Sequence, residues 1–545
     1  MDKTKRADTY WLPQLGGKGK MPYVLDSGNY KFFRNVRDFG PKGKSLMPLQ
    51  RAALTMCEVM VQLMTLMRSI EPHLRAISGV PVMKADANFK GIAIFDTNPY
   101  IAGGNGAQCS ARYINQNQFF RQIRNFVIDM RDMQPMNYDN NGQGHVPVGI
   151  HWQVAQATSL QNIKIQMRDD GEGSAKTAIG IFTENGSGGF VSDLEFSGGF
   201  IGYQIGSQQY TIRDLKFTKV TNAIQVTWTW GMIWQRITIE NCTIGFNITG
   251  KTSDSSGNGQ GVGSLAIIDS NIINSVFGIG MQPLNGAEPH EIILDNLHLS
   301  RIPIPVGVVQ LGGPIYLKGP GSANEMTIQS WALGRRYTSR NGKHNDTFGL
   351  VNPAPVKPSS LVDSNGRFFV RSRPTYANFA ADDWTVATDH GVANDGTGDQ
   401  TETINKLLSG GQHVYFPAGV YQVFGTVEVP LGSILTGSGW SQIRGTGPYF
   451  GDINHPKPVV RVGNPGDKGS VEISDMLFTV RGANPGAILM KWNVKESIQG
   501  SAAMWDSHFR IGGAAGTELT LEDCPVAGGL QPKCMAAAML LHVTE

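Results

Sequence analysis

The sequence predicts an all-β chain built as tandem right-handed parallel β-helices, the second of them incomplete. Two observations predict it. A two-part phrase recurs between positions 125 and 300 with a period near 22 residues, and 67 glycines alongside many Asn, Ser and Thr call for short strands joined by tight turns. A Pro- and Ser-rich break at 352–378 then separates this array from a second opening.

One part of the phrase is a polar residue followed by an apolar–any–apolar triplet. It occurs at Asn125-Phe126-Val127-Ile128, Asn162-Ile163-Lys164-Ile165, Asp193-Leu194-Glu195-Phe196, Asp214-Leu215-Lys216-Phe217, Arg236-Ile237-Thr238-Ile239 and Asn296-Leu297-His298-Leu299. The alternation is that of a strand. The other part is a small residue before an apolar one: Gly149-Ile150, Gly180-Ile181, Gly202-Tyr203, Ala223-Ile224, Gly245-Phe246 and Gly278-Ile279, at steps of 31, 22, 21, 22 and 33 residues. Such a period with occasional insertions describes a solenoid whose coils bury their apolar faces by stacking. Leucine-rich repeats have similar periods, but their Leu-rich consensus with an Asn ladder is not found. The longer steps place insertions such as 251–261 on one side of the coil stack, where solenoids bind.

In chain order, residues 1–94 form an N-terminal segment, 95–351 the first β-helix, 352–378 a linker and 379–545 the second. The second opens on a Gly/Asp turn, a short helix carrying Ile404, Leu407 and Leu408, and a strand turning at Pro417-Ala418-Gly419. Further strands are expected at Val459–Val462, Val471–Val480, Ala487–Trp492 and Phe509–Ile511, and Leu540, Leu541 and Val543 read as the start of another, buried one.

Composition excludes several function classes. The net charge is +3 without a basic run, so there is no electrostatic footprint for nucleic acid, and an uncharged sugar polymer suits such a surface. The Met-rich stretch at 44–82 carries Glu58 in an apolar run too short to span a membrane. No spacing suits a metal site, and no cofactor is expected. Of five cysteines, Cys524 and Cys534 bracket a Pro/Gly loop that suits a disulfide, the alternative being two free thiols; Cys57, Cys109 and Cys242 are left without an assigned pairing. Asn-x-Ser/Thr acceptors at Asn185, Asn241, Asn247 and Asn345 are compatible with export, whereas the first residues have no apolar signal region.

The segment ANDGTGDQTETIN with VYFPAGVYQV resembles the entry of pectate-lyase-like β-helices. More specific are YWLPQL, YKFFRNVRDFG, NQNQFFRQIRNFVIDM, GIHWQVAQATSLQNI, ENGSGGFVSDLEFSGG, GSVEISDMLFTVRGANPGAILMKWNV and MWDSHFRIGGAAGTEL. Together they resemble glycoside hydrolase family 55, the fungal, secreted exo-β-1,3-glucanases (glucan 1,3-beta-glucosidases). The resemblance implies two β-helices side by side, a laminarin-like β-1,3-glucan substrate between them, a monomer, and inverting hydrolysis that releases glucose.

Two departures bear on activity. Residues 44–82 stand where the family has its first cap, and read either as a buried or loosely packed helix or, in the favoured reading, as the product of a frameshift or mis-spliced exon. The resemblance also places the general-acid glutamate in coils after the LLHVT strand, so this sequence is expected to lack it and to be inactive or impaired. No catalytic acid is assigned within it. The alternatives are a non-catalytic glucan-binding remnant or another polysaccharide-degrading enzyme of the superfold.

The same resemblance matches Gln156 and Ser187 to residues that hold the attacking water, since an amide and a hydroxyl can position water without a charge. Equally, Gln153 and Gln156 can form a polar ladder and Ser187 can serve a coil turn. Trp228 and Trp230, with Trp152 beside His151, are candidate platforms for sugar rings, or buried stacking residues. Glu184 shares its segment with Ser187, but a carboxylate there can also cap a turn, and it is not assigned as acid. Asp382, Asp383, Asp395 and Asp399 read as turn residues, and Trp505 and His508 as structural.

Overall fold

In the computed structural model, the described residues are 19–20, 82–97, 115–138, 144–169, 178–250, 261–282, 290–320, 324–337, 344–411, 413–526, 529 and 531–544. The expectations for the Met-rich stretch, for Cys57 and Cys109, and for nearly all of the 251–261 insertion fall outside them. Two compact units emerge, Phe39–Phe369 and Met1–Asp38 with Val370–Glu545.

The first unit is a right-handed parallel β-helix. Each coil contributes a short strand and a longer, bent one, and each pairs in parallel with its equivalent on the next coil. The short strands stack as Ala93–Asp96, Val148–His151, Ile179–Thr183, the start of Ile201–Thr218, the start of Asn222–Gln235, Ile244–Ile248, Phe277–Met281 and Ile304–Val308. Their inward residues form one ladder: Phe95, Ile150, Ile181, Tyr203, Ile224, Phe246, Ile279 and Val306, all buried. A second ladder runs Ile128, Ile165, Phe196, Phe217, Ile239, Ile272 and Leu299. Within it Phe196 and Phe217 stack with ring centroids 4.5 Å apart. Burying such a side chain contributes about 1.5–3 kcal/mol, so the ladders are a major source of stability.

The bend in each longer strand explains the polar residue that heads the repeated triplet. Asn125, Asn162, Asp193, Asp214, Arg236 and Asn296 all lie in the left-handed region, at φ between 50° and 64°, and Asp269 joins them. Short polar side chains tolerate this conformation by bonding locally. Here they also bond along the stack: Asn162 Nδ2 donates to Asn125 Oδ1 at 2.8 Å, and Asn296 Nδ2 to Asp269 Oδ1 at 2.7 Å. A partial amide and carboxylate ladder therefore does line this corner, although the repeat is not leucine-rich. A second left-handed corner follows at Lys219, Asn241, Asn274 and Arg301, where Asn274 Nδ2 donates to Asn241 Oδ1 at 2.7 Å.

The parallel stack finishes against an antiparallel hairpin. Glu325–Tyr337 pairs with Glu291–Ser300 and then with His344–Leu350. Beyond it, the stretch up to Phe369 is tied to the corner ladder: Lys357 Nζ reaches Asp295 at 2.6 Å and Asp269 at 3.2 Å, and Phe368 N–H donates to Asp269 at 2.8 Å.

The second unit is also coiled. His413–Tyr415, Ile434–Gly445, Val471–Val480 and Ala502–Trp505 stack in parallel, as do Val427–Val429, Lys457–Val462, Ala487–Trp492 and Met539–Val543. The helix Thr401–Gly410 closes one end of its core by burying Ile404 and Leu408, one turn apart. Segment 371–376 is pinned through Arg371 and Tyr376 to Glu472 and through Arg373 to Asp475. Two expectations are corrected. The strand at 509–511 is His508–Phe509 alone, since the chain turns at Gly512 and Gly513, both at positive φ, and Ile511 is exposed. The strand Met539–Val543 forms, but it is the outermost of its sheet, so Leu540, Leu541 and Val543 are 38–55% exposed rather than buried.

Candidate functional site

On the first unit, side chains at the exit of the short strands converge across three coils. Strand register sets Asp96 beside His151 and His151 beside Phe182, with outward alternation placing all three on the same face. His151 Nδ1 lies 2.9 Å from Asp96 Oδ1 and Nε2 lies 3.2 Å from Glu184 Oε2, so the imidazole bridges two carboxylates. Its ring stacks on Phe182 at 5.2 Å and 15°. The His151 side chain is fully buried, against 18% exposure for Asp96 and 35% for Glu184. Burial by itself pulls the imidazole's pKa down; hydrogen bonds and charge from Asp96 and Glu184 more than offset this and raise it to about 9. At neutral pH His151 is therefore an imidazolium donating from both nitrogens.

Glu184 is held from two further sides. Gln153 Nε2 donates to Glu184 Oε2 at 3.4 Å, and the Trp228 indole donates to the Glu184 carbonyl at 3.4 Å. Gln153 is itself anchored, its N–H donating to Thr97 Oγ1 at 2.8 Å. Trp228 lies over Gly206 at a register shift in the strand pair, and a Cβ at residue 206 would overlap its ring. The indole is thus half-buried against the coil rather than standing free.

Gln156 and Ser187 sit beside this cluster. Val154 pairs with Gly186 and Ser159 with Phe190, so between these anchors Gln156 stands opposite the Ser187-Gly188 turn on the next coil. Gln156 is exposed and Ser187 half-buried. Trp230 is 61% exposed, whereas Trp152 is entirely buried. Among the described residues no group of three His, Cys, Asp or Glu gathers as a metal site.

Comparison with known proteins places this chain in a lineage. The family described as rhamnogalacturonase A/epimerase, pectate lyase-like, matches residues 76–247 and 384–494. A glucan 1,3-beta-glucosidase of Cochliobolus carbonum is 33% identical over 99% of this chain and 69% of its own length. The chain belongs to the pectate-lyase-like family.

Other relatives carry different names. A probable glucan endo-1,3-beta-glucosidase of Arthroderma benhamiae is 32% identical over 99% of this chain and 73% of its own. A non-secreted LysM effector of Penicillium expansum is 36% identical over 99% of this chain, which spans only 44% of that relative.

In the second unit of this pectate-lyase-like chain, Cys524 and Cys534 form a disulfide with Cα atoms 5.8 Å apart. Cys242, in the first unit, is a buried free thiol whose pKa burial pushes up to about 12. Asp383, Asp395 and Asp399 accept turn hydrogen bonds from Ala380, Thr397 and Thr401. Trp505 donates to the Arg371 carbonyl at 3.2 Å and carries the Arg371 guanidinium over its ring.

Sequence reading singled out Gln153, Gln156, Ser187, Trp228 and Trp230 but not Asp96 or the bridging role of His151. The missed signal is an outward residue recurring at the same strand position on successive coils: Asp96, His151, Phe182, Gln204, Gln225 and Asn247.

Proposed function

We propose that this chain contributes to hydrolysis of β-1,3-glucan, with Gln156 and Ser187 positioning the attacking water. The observation that carries the reading is the match over 99% of the chain to a glucan 1,3-beta-glucosidase. The placement of Gln156 opposite Ser187 on the neighbouring coil supports it. An amide and a hydroxyl on neighbouring coils can hold a water between them. In an inverting reaction that water attacks the anomeric carbon while a carboxylic acid protonates the leaving oxygen on the other face. No residue of this chain is assigned as that acid. The substrate class is a neutral, laminarin-like polymer, and its action is proposed to be extracellular.

The test is incubation of the purified chain with laminarin, following glucose by coupled assay and its anomeric form by NMR; release is expected to be slow, since no acid is assigned in this chain. Early release of α-glucose supports inverting hydrolysis. Gln156→Ala and Ser187→Ala should then lower kcat with little change in KM, since a positioned water acts mainly in the transition state. Release of β-glucose would refute the inverting assignment. Binding without turnover is the second reading, favoured by two relatives named as effectors rather than hydrolases; it requires laminarin affinity with no sugar released.

A further inference from the structure

The Asp96–His151–Glu184 stack is not assigned to the attacking water above, and as a stability device it is poorly justified. Burying charged groups costs several kcal/mol each, and well-packed apolar residues in their place are often as stable or more so. The neighbouring coils carry no charge there: the equivalent outward positions are the neutral amides Gln204, Gln225 and Asn247. The charged arrangement lies on the coils that carry Gln156 and Ser187 and on the coil before them. Glu184 precedes Ser187 by three residues, and its carboxylate is the most exposed member of the stack.

We propose that Glu184 binds hydroxyl groups of a β-1,3-glucan residue next to the Gln156–Ser187 pair, and that His151, braced by Asp96, is the positioning residue that holds the Glu184 carboxylate in place. The proposal rests on the glucan reading above and specifies one contact within it. Sugar hydroxyls are neutral donors, and a carboxylate accepts from them more strongly than an amide does. A flexible Glu side chain would lose rotamer entropy on binding. Here Oε2 is fixed beforehand by the imidazolium and Gln153, and the Glu184 backbone by the Trp228 indole, so that cost is met in folding. His151 is fully buried beneath the carboxylates and acts only through Glu184. Among the described residues, the charged groups facing it are Asp96 from the preceding coil and Glu184 from the following one, and its ring stacks on Phe182.

The experiment is calorimetric titration of the full chain with laminaripentaose, with cellopentaose as linkage control, between pH 6 and pH 10. Wild type, Glu184→Gln, Asp96→Asn and His151→Gln are compared, each checked for folding by circular dichroism. Glu184→Gln keeps size and an acceptor but loses charge, and should weaken laminaripentaose binding about tenfold. Wild-type affinity should hold to pH 8 and fall as His151 deprotonates near pH 9. In Asp96→Asn that fall should come at lower pH, a displacement that a merely structural role would not produce. Unchanged affinity in Glu184→Gln, or the same pH profile in wild type and Asp96→Asn, would overturn the proposal while leaving the glucan reading intact. Failure of wild type to bind laminaripentaose would refute the glucan reading itself and this contact with it.

Discussion

Replacing His151 with Gln at two pH values tests the charge state of the buried stack without any ligand. The ordinary histidine value near 6.5 is raised to about 9 in the folded chain. The proton therefore binds more tightly to the folded state than to the unfolded one. The resulting stabilisation is complete below pH 6.5, declines as pH rises from there, and is lost above about pH 9. At about 1.4 kcal/mol per tenfold change in proton affinity, it amounts to about 3 kcal/mol. No discount for solvent screening applies, because the His151 side chain is fully buried. Glutamine can occupy the site and donate one hydrogen bond, but it does not titrate. Urea unfolding at pH 6 and pH 10, followed by tryptophan fluorescence, should show wild type ahead of His151→Gln by a margin that shrinks by about 3 kcal/mol at the higher pH. A margin that stays constant, or grows with pH, would show that the imidazole is buried neutral and would refute the bridged-imidazolium description.

Other predictions concern the frame that holds the site. A Cβ at Gly180 would sit 2.5 Å from the Gly202 carbonyl oxygen and 2.9 Å from the Phe196 ring, whereas one at Gly231 meets nothing within 4 Å. Gly180→Ala should cost about 1–3 kcal/mol in denaturant melts and Gly231→Ala close to nothing. Asn162→Ala loses both the bond to Asn125 and a residue suited to φ 50°, and should destabilise by about 1–2 kcal/mol, with Asn162→Gly milder. The double Cys524→Ser, Cys534→Ser variant opens a loop of sequence separation 10 and should lower stability of the second unit by about 2–3 kcal/mol, read as a lower melting midpoint under non-reducing conditions.

The fold was legible in the sequence because a solenoid's contacts are made between neighbouring coils, so each coil must repeat its own pattern. The left-handed corner at Asn162 needs a short polar residue, and the inward positions of Ile163 and Ile165 need apolar ones; those needs are local and recur every coil. Gln156 and Ser187 were legible through resemblance, their surroundings having a recognisable composition. The bridge from Asp96 to His151 was not. Its members lie 55 residues apart, and only strand register decides that these two positions are adjacent rather than offset by one, which would turn them to opposite faces. The two tryptophans of TWTWG were separated by the same means. Trp228 falls at a register shift over Gly206, where its indole settles onto bare backbone and bonds to Glu184, while Trp230 two residues on remains exposed. Sequence determines which residues a coil must bury, since hydrophobic burial depends on residue type and strand period alone. Tertiary structure decides which polar groups meet, since a hydrogen bond forms only within a few tenths of an ångström of the right separation.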